Sequence, residues 1–210
     1  VNISSNTGTT ICDGASVTFT ATPTNGGTTP SYQWKVNGAN VGTNSNTYTT
    51  SSLVQGHAVT CVMTSNATCP SPATVTSNTL NMTVNPLLTP SVSIVSGSGT
   101  NICAGTNVTF TATPTNGGST PAYQWKVNGG NVGTNSPTFI VGGLLNGDVV
   151  SCVLTTSETC ITTPTAISNN IAMTVAPQQT PSVSIVSDGG TSVCVGQTVT
   201  FTATPTNGGT

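Results

Sequence analysis

TFTATPTNGG, residues 18–27, returns letter for letter at 109–118 and again at 200–209. Its first five residues alternate polar and apolar, the period of a half-buried strand. Val17, Phe19 and Ala21 fall on one side and Thr18, Thr20, Thr22 and Thr24 on the other. Pro23 has no N–H to give to a ladder and is expected to end the strand. Asn25-Gly26-Gly27 then supplies residues that tolerate positive φ, so a turn follows. A strand and turn repeated unchanged are architectural features rather than a catalytic site.

The repeat is regular. Cys12, Cys103 and Cys194 lie one period apart (103 − 12 = 91), as do Trp34 and Trp125, Cys61 and Cys152, and Pro86 and Pro177. A period of about 90 residues is a whole small domain rather than one rung of a solenoid. The predicted domains are repeat 1 over 1–86, repeat 2 over 87–177, and the start of repeat 3, strands A and B only, over 178–210. Roughly 30 residues bury too little surface to fold alone, so the chain is expected to continue beyond Thr210; completion of a neighbouring sheet is the other reading. NPLLTP (85–90) and APQQTP (176–181) form the joints, and two prolines in six residues favour stiff, extended spacers.

Within a repeat the strand signals are closely spaced. Strand B is predicted at Val17–Thr22, strand C at Tyr32–Val36, strand E at Asn46–Leu53, strand F at His57–Thr64 and strand G at Thr79–Val84. Ser91–Ser96 opens the second repeat as strand A. Asn37-Gly38 is a strong hairpin signal. Tyr32, Trp34 and Val36 share one face of strand C, and Val59, Cys61 and Met63 one face of strand F. Phe19, Trp34, Phe110, Trp125 and Phe201 are the expected core. Such a run of short strands with frequent turns reads as an all-β chain of tandem β-sandwiches.

Composition narrows the function. Only 3% of the residues are charged and the formal net charge is −2, where ordinary domains carry about a quarter charged residues. There is no arginine, and the two lysines are Lys35 and Lys126. Nucleic-acid binding needs clustered basic residues, so none is expected. Neither is membrane insertion, since no apolar run approaches the length of a spanning helix. Asp13, Asp148, Glu158 and Asp188 do not pair in sequence, and one histidine, His57, leaves a Ser-His-Asp site unsupported. No catalytic residue, cofactor or metal site is expected. Cys61 and Cys69 are too far apart for a zinc knuckle, and the counterpart of His57 in the second repeat is Asp148. Lys35 and Lys126 alternate outward from the tryptophans beside them. The threonine stripe could serve ice or glycan binding, but such stripes are more often polar strand faces.

The residues also carry a resemblance. Ala21 to Trp34 spans the interval between the strand B cysteine position and the strand C tryptophan of immunoglobulin domains. Tyr48 to Leu53, with Gly56 and Cys61, resembles their E and F strands. The pattern CxG, VTFTATPTNGG, YQWKVNG, VGTNS, with GDVV before the strand F cysteine in the second repeat, is similar to the tandem immunoglobulin-like or PKD-like repeats of giant secreted surface proteins of Bacteroidota, the gliding-motility adhesins among them. The resemblance covers the whole chain. It implies an extracellular array held at the cell surface and exported by that phylum's own route, with no catalytic residues. The chain departs from immunoglobulins at Ala21, Ala112 and Ala203, where the strand B cysteine stands, and at Val59 and Val150, where a tyrosine is usual.

Each full repeat has three cysteines: Cys12, Cys61 and Cys69, then Cys103, Cys152 and Cys160. The pairings ranked first are Cys61–Cys69 and Cys152–Cys160, each closing a short loop and leaving Cys12, Cys103 and Cys194 unpaired. A lone buried thiol behaving as a small hydrophobe is the bland alternative. Cys12–Cys160 is the other, because the A–B end of one bead is expected to face the F–G end of the next.

The sequence therefore predicts a structural segment of an extracellular filament or surface adhesin. With few charges to guard the edge strands, lateral self-association is expected, and a surface or glycan target is left open. The alternative is a glycan-binding or spacer module of a secreted enzyme, which would need an exposed aromatic row.

Overall fold

The computed structural model describes residues 1–209, and these form strands and turns without a helix. The first repeat carries β1 (Asn2–Ser5), β2 (Thr10–Cys12), β3 (Val17–Thr22), β4 (Ser31–Val36), β5 (Ala39–Val41), β6 (Thr47–Thr50), β7 (Ala58–Thr64), β8 (Thr74–Thr76), β9 (Leu80–Asn81) and β10 (Thr83–Asn85). The second carries β11 (Ser91–Ser96), β12 (Asn101–Cys103), β13 (Val108–Thr115), β14 (Ala122–Val127), β15 (Gly130–Val132), β16 (Thr138–Val141), β17 (Val149–Thr155), β18 (Thr165–Ile167), β19 (Ile171–Ala172) and β20 (Thr174–Ala176). After it come β21 (Ser182–Ser187) and β22 (Phe201–Thr206). The residues gather into two compact units. One is Val1–Ser91 with Pro114–Ala122 and Leu154–Ala166; the other is Val92–Thr113 with Tyr123–Val153 and Ile167–Thr210.

In the first repeat β1, β3 and β6 make one antiparallel sheet, and β5, β4, β7 and β8 make the other, with β9 also pairing β7. A short ladder of β2 with β10 runs parallel. In strand letters these are A-B-E, C′-C-F-G and A′-G, the order of an immunoglobulin-like β-sandwich. The second repeat has the same order: β11-β13-β16, β15-β14-β17-β18 with β19, and β12-β20.

The core follows from the alternation. Val17, Phe19 and Ala21 of β3 face Trp34 of β4 and Val59 and Cys61 of β7, and Ile3, Leu53 and Met82 join the same cluster. Phe19, Trp34 and Tyr48 form an aromatic cluster, with Phe19 and Trp34 centroids 6.2 Å apart. Burial of an indole strands its N–H unless a partner is found; Trp34 Nε1 donates to the Ser45 carbonyl at 2.9 Å, and Trp125 Nε1 to the Ser136 carbonyl at the same distance. Among the described residues no polar or charged residue is buried, and no buried side-chain nitrogen or oxygen lacks a partner. The outward threonines serve the sheet, as where Thr18 and Thr49 hydroxyls meet at 2.9 Å across the β3–β6 pair.

The turns obey their residues. Asn37 (φ 48°) and Gly38 (φ 82°) both take positive φ between β4 and β5, as a two-residue type I′ hairpin requires. Gly27 (φ 84°) has a second reason to lack a side chain: a Cβ there would collide with the Asn66 side chain and the Ala67 backbone.

Several expectations are corrected. The sequence reading of strand G began at Thr79, whereas the third position beside β7 is first taken by β8 (Thr74–Thr76). Strand E is shorter than expected, Thr47–Thr50. Pro23 does end β3, but Pro114 and Pro205 lie inside β13 and β22, near the ends of those strands, where a missing N–H costs least. Phe201 is not core: it is 70% exposed, as are Val183 and Ile185 to similar degree. Among the described residues β21 and β22 pair only with each other, and no second sheet covers their apolar face.

Truncating Trp34 to Ala removes the largest buried side chain and its hydrogen bond. We expect a loss of about 3–5 kcal/mol in denaturant unfolding, with Trp125→Ala costing a similar amount.

Candidate functional site

Three residues that carry no strand signal by themselves, Thr10-Ile11-Cys12, set the position of the cysteine. As β2 they pair in parallel with β10, Thr10 opposite Thr83, Ile11 opposite Val84 and Cys12 opposite Asn85. Ile11 is 7% exposed and anchors the strand to the core. The Asp13 N–H then donates to the Asn85 carbonyl at 2.8 Å, and the Ala15 N–H to the Cys12 carbonyl at 3.1 Å. The ladder thereby brings Cys12 beside Asn85, the last residue of β10, where the NPLLTP joint begins.

The joint itself is held. The Leu88 N–H donates to the Cys160 carbonyl at 2.8 Å, and the Thr162 N–H donates to the Leu88 carbonyl at 2.9 Å. Leu88 and Ile161 thus form an isolated parallel bridge. Asn116 Nδ2 donates to the Thr89 carbonyl at 2.9 Å, and the Thr162 hydroxyl to the Thr89 hydroxyl at 3.2 Å. All these residues belong to the first compact unit, because 114–122 and 154–166 pack with residues 1–91.

The segment that carries Cys160 is shaped by the second copy of the TPTNGG stretch. Thr156 Oγ1 donates to the Asn116 carbonyl at 2.8 Å, the Ser157 N–H to the Gly117 carbonyl at 3.0 Å, and the Thr120 N–H to Ser157 Oγ at 3.0 Å. Gly118 (φ 79°) admits this approach, since a Cβ there would collide with Ser157 and the Glu158 backbone. The turn after strand B is therefore the seat of the loop after strand F.

Cys12 and Cys160 meet in a disulfide, their Cα atoms 5.3 Å apart and 148 residues apart in sequence. The pairings ranked first from the sequence, Cys61–Cys69 and Cys152–Cys160, are not formed. Cys61 and Cys152 are wholly buried, Cys61 in the same core cluster as Ala21, whereas Cys69 and Cys160 lie in the loop past the end of strand F. Cys69, Cys103 and Cys194 are exposed free thiols. Burial pushes the Cys61 thiol up, and pushes Cys152 up to about 11 against a backbone hydrogen bond that lowers it. The bonding of Cys12 could not be read from spacing, because its ladder partner, β10, lies more than 70 residues on.

The remaining polar candidates do structural work. His57 Nδ1 accepts from the Val54 N–H at 3.2 Å, and Asp148 Oδ2, one period later, accepts from the Leu145 N–H at 2.8 Å. Two unlike side chains close the same turn. Asp148 Oδ1 also accepts from Asn128 Nδ2 at 2.8 Å. The backbone hydrogen bond first, and the amide second, hold the Asp148 carboxyl below its ordinary range. Lys35 Nζ donates to Asn40 Oδ1 at 2.8 Å, and Lys126 Nζ to Asn131 Oδ1 at 2.6 Å. Among the described residues no three of His, Cys, Asp and Glu gather as a metal site. The aromatic residues Phe19, Trp34, Phe110 and Trp125 are fully buried, so they present no row to solvent.

No protein-family model and no curated protein matches the sequence. Solved structures with a similar course include the fibronectin(III)-like modules of Clostridium thermocellum CbhA, at 11% identity and TM-score 0.37 over 84% of this chain and 94% of that one. The three N-terminal domains of the bacteriophage RB49 outer capsid protein Hoc align at 12% identity and TM-score 0.37, over 98% of this chain and 68% of that one. The human OSCAR ligand-binding domain aligns at 17% identity and TM-score 0.30, over 80% and 94%.

Alkylation of the native chain is expected to label Cys69, Cys103 and Cys194 and to spare Cys61 and Cys152, with one Cys12–Cys160 peptide in non-reducing mass spectrometry. Replacing Cys12 by Ser should cost up to about 5 kcal/mol against complete unfolding, the entropy of a closed loop of that length. The lowered Asp148 carboxyl stabilises the fold above its unfolded value and loses that contribution as pH falls through its folded value. The difference in melting temperature between wild type and Asp148→Asn should therefore shrink as the pH is taken below the ordinary value of 3.8.

Proposed function

We propose that this chain is a structural segment of a long extracellular filament or cell-surface adhesin, in which immunoglobulin-like sandwiches serve as spacers. The observation that carries this reading is the Cys12–Cys160 bond, which joins a cysteine of one repeat to a cysteine of the next. A disulfide persists in oxidising surroundings, which favours an extracellular location. A covalent tie placed at a joint supports a mechanical role, since it restrains the one place where a tandem array bends most easily. Sandwiches of this type more often bind or support than catalyse, although fold alone does not decide function.

The gliding-motility adhesins of Bacteroidota remain the family that the repeat pattern resembles, and the surface or glycan target of such a filament is left to experiment. The rival reading, a glycan-binding module of a secreted enzyme, loses support because Phe19, Trp34, Phe110 and Trp125 of the two full repeats are spent on the core.

Lateral self-association belongs to the same proposal, because the edges carry almost no charge. Sedimentation velocity and negative-stain microscopy of the oxidised chain should show association that is unchanged at 1 M sodium chloride, as there is little charge to screen. Dissociation by salt, or tight glycan binding by a chain that stays monomeric, would refute it.

A further inference from the structure

The bonded pair and the free thiols are related by the repeat. Cys103 and Cys194 stand one and two periods after Cys12, and Cys69 stands one period before Cys160. The backbone around Cys103 matches that around Cys12 in its ladder and in two hydrogen bonds. Cys12 faces Asn85 in the β2–β10 ladder, and Cys103 faces Ala176 in the parallel β12–β20 ladder. The Asp13 N–H to Asn85 carbonyl bond of 2.8 Å is repeated by the Ala104 N–H to Ala176 carbonyl, also 2.8 Å. The Ala15 N–H to Cys12 carbonyl bond of 3.1 Å is repeated by the Thr106 N–H to Cys103 carbonyl, also 3.1 Å. Cys103 is therefore held on the same kind of platform.

A second observation concerns what comes next to that platform. At the bonded joint the TPTNGG turn of the second repeat grips the linker through Asn116 Nδ2 and the Thr89 carbonyl, 2.9 Å. At the following joint Asn207 Nδ2 grips the Thr180 carbonyl at 3.1 Å. The turn that seats the loop after strand F is thus already in place beside the second linker. The loop that it seats in repeat 2 is the one that carries Cys160.

We propose that Cys103 is one half of a second staple, whose other half is the cysteine that a following repeat carries at the position of Cys69 and Cys160. By the same register Cys69 takes the cysteine at the Cys12 position of a preceding repeat, and Cys194 takes the cysteine at the Cys160 position of a repeat further on. The staple is then a property of every joint. In the reaction two thiols become one S–S bond. Two electrons and two protons pass to a disulfide oxidant, such as glutathione disulfide, which is cleaved to two thiols.

The test extends the full chain after Thr210 with a second copy of residues 120–177, which completes a third repeat in register. After oxidation with glutathione disulfide, non-reducing peptide mapping should find Cys103 bonded to the appended copy of Cys160, with Cys12–Cys160 retained. Cys103→Ser in the same chain should leave the appended cysteine open to alkylation. Fluorescence of the appended tryptophan reports whether the third repeat has closed. A buried tryptophan with Cys103 still alkylated overturns the proposal, and so does a Cys103–Cys194 bond. A tryptophan that stays in water also counts against it, because β21 and β22 are then not the first half of such a repeat. The inference rests on the array reading only for the presence of a further repeat. The extension supplies that repeat, so a free Cys103 sinks the staple and leaves the array reading standing.

Discussion

Two strands of three residues each hold the arrangement together. The parallel pairing of β2 with β10 ties the beginning of the first repeat to its end. It delivers Cys12 to the mouth of the linker. A parallel ladder of this length has little stability of its own. It persists because Ile11 is buried in the core and because Gln55 Oε1 accepts from the Val84 N–H at 2.8 Å. Without that ladder Cys12 would be one more residue in a loop.

How much of this is legible in the residues depends on where the partner lies. Strand B could be read because its alternation and its core face are local; β3 begins at Val17 and ends at Thr22 as the pattern says. Asn37-Gly38 could be read because a two-residue hairpin is decided by the φ of its own residues. Thr10-Ile11-Cys12 could not, since three residues show no period and their partner is remote. Phe201 was misplaced for a related reason. Its pattern matches Phe19, but burial is a property of the sheet that covers a face, and β21–β22 has none. The disulfide that forms, Cys12–Cys160, is the alternative offered by the facing ends of successive repeats rather than the short-loop pairing that cysteine spacing ranks first.

The scarcity of charge also has a structural explanation. Every task commonly given to an ion pair is performed here by an amide, a hydroxyl or a backbone group. Asn78 bridges the backbone of Ile3 on both sides, Oδ1 accepting at 2.7 Å and Nδ2 donating at 3.1 Å, and Asn169 does the same for Ile94. Where a charge does occur, as at Asp148, the first repeat shows that histidine can fill the place. The fold is therefore nearly indifferent to ionic strength in its local bonding.

The position of Cys12, close to one end of a long covalent loop, has a consequence for tension. A pull on the two ends of the chain enters at Val1, reaches Cys12 and crosses the sulfur bond to Cys160. It bypasses the sequence between them, a separation of 148 residues, a length of about 500 Å when drawn out at 3.3–3.6 Å per residue. Trp34 and Trp125 both lie within the bypassed span, so the strands that carry them are off the covalent path while the bond is intact. Between Cys12 and Cys160 the force itself runs through the sulfur bond.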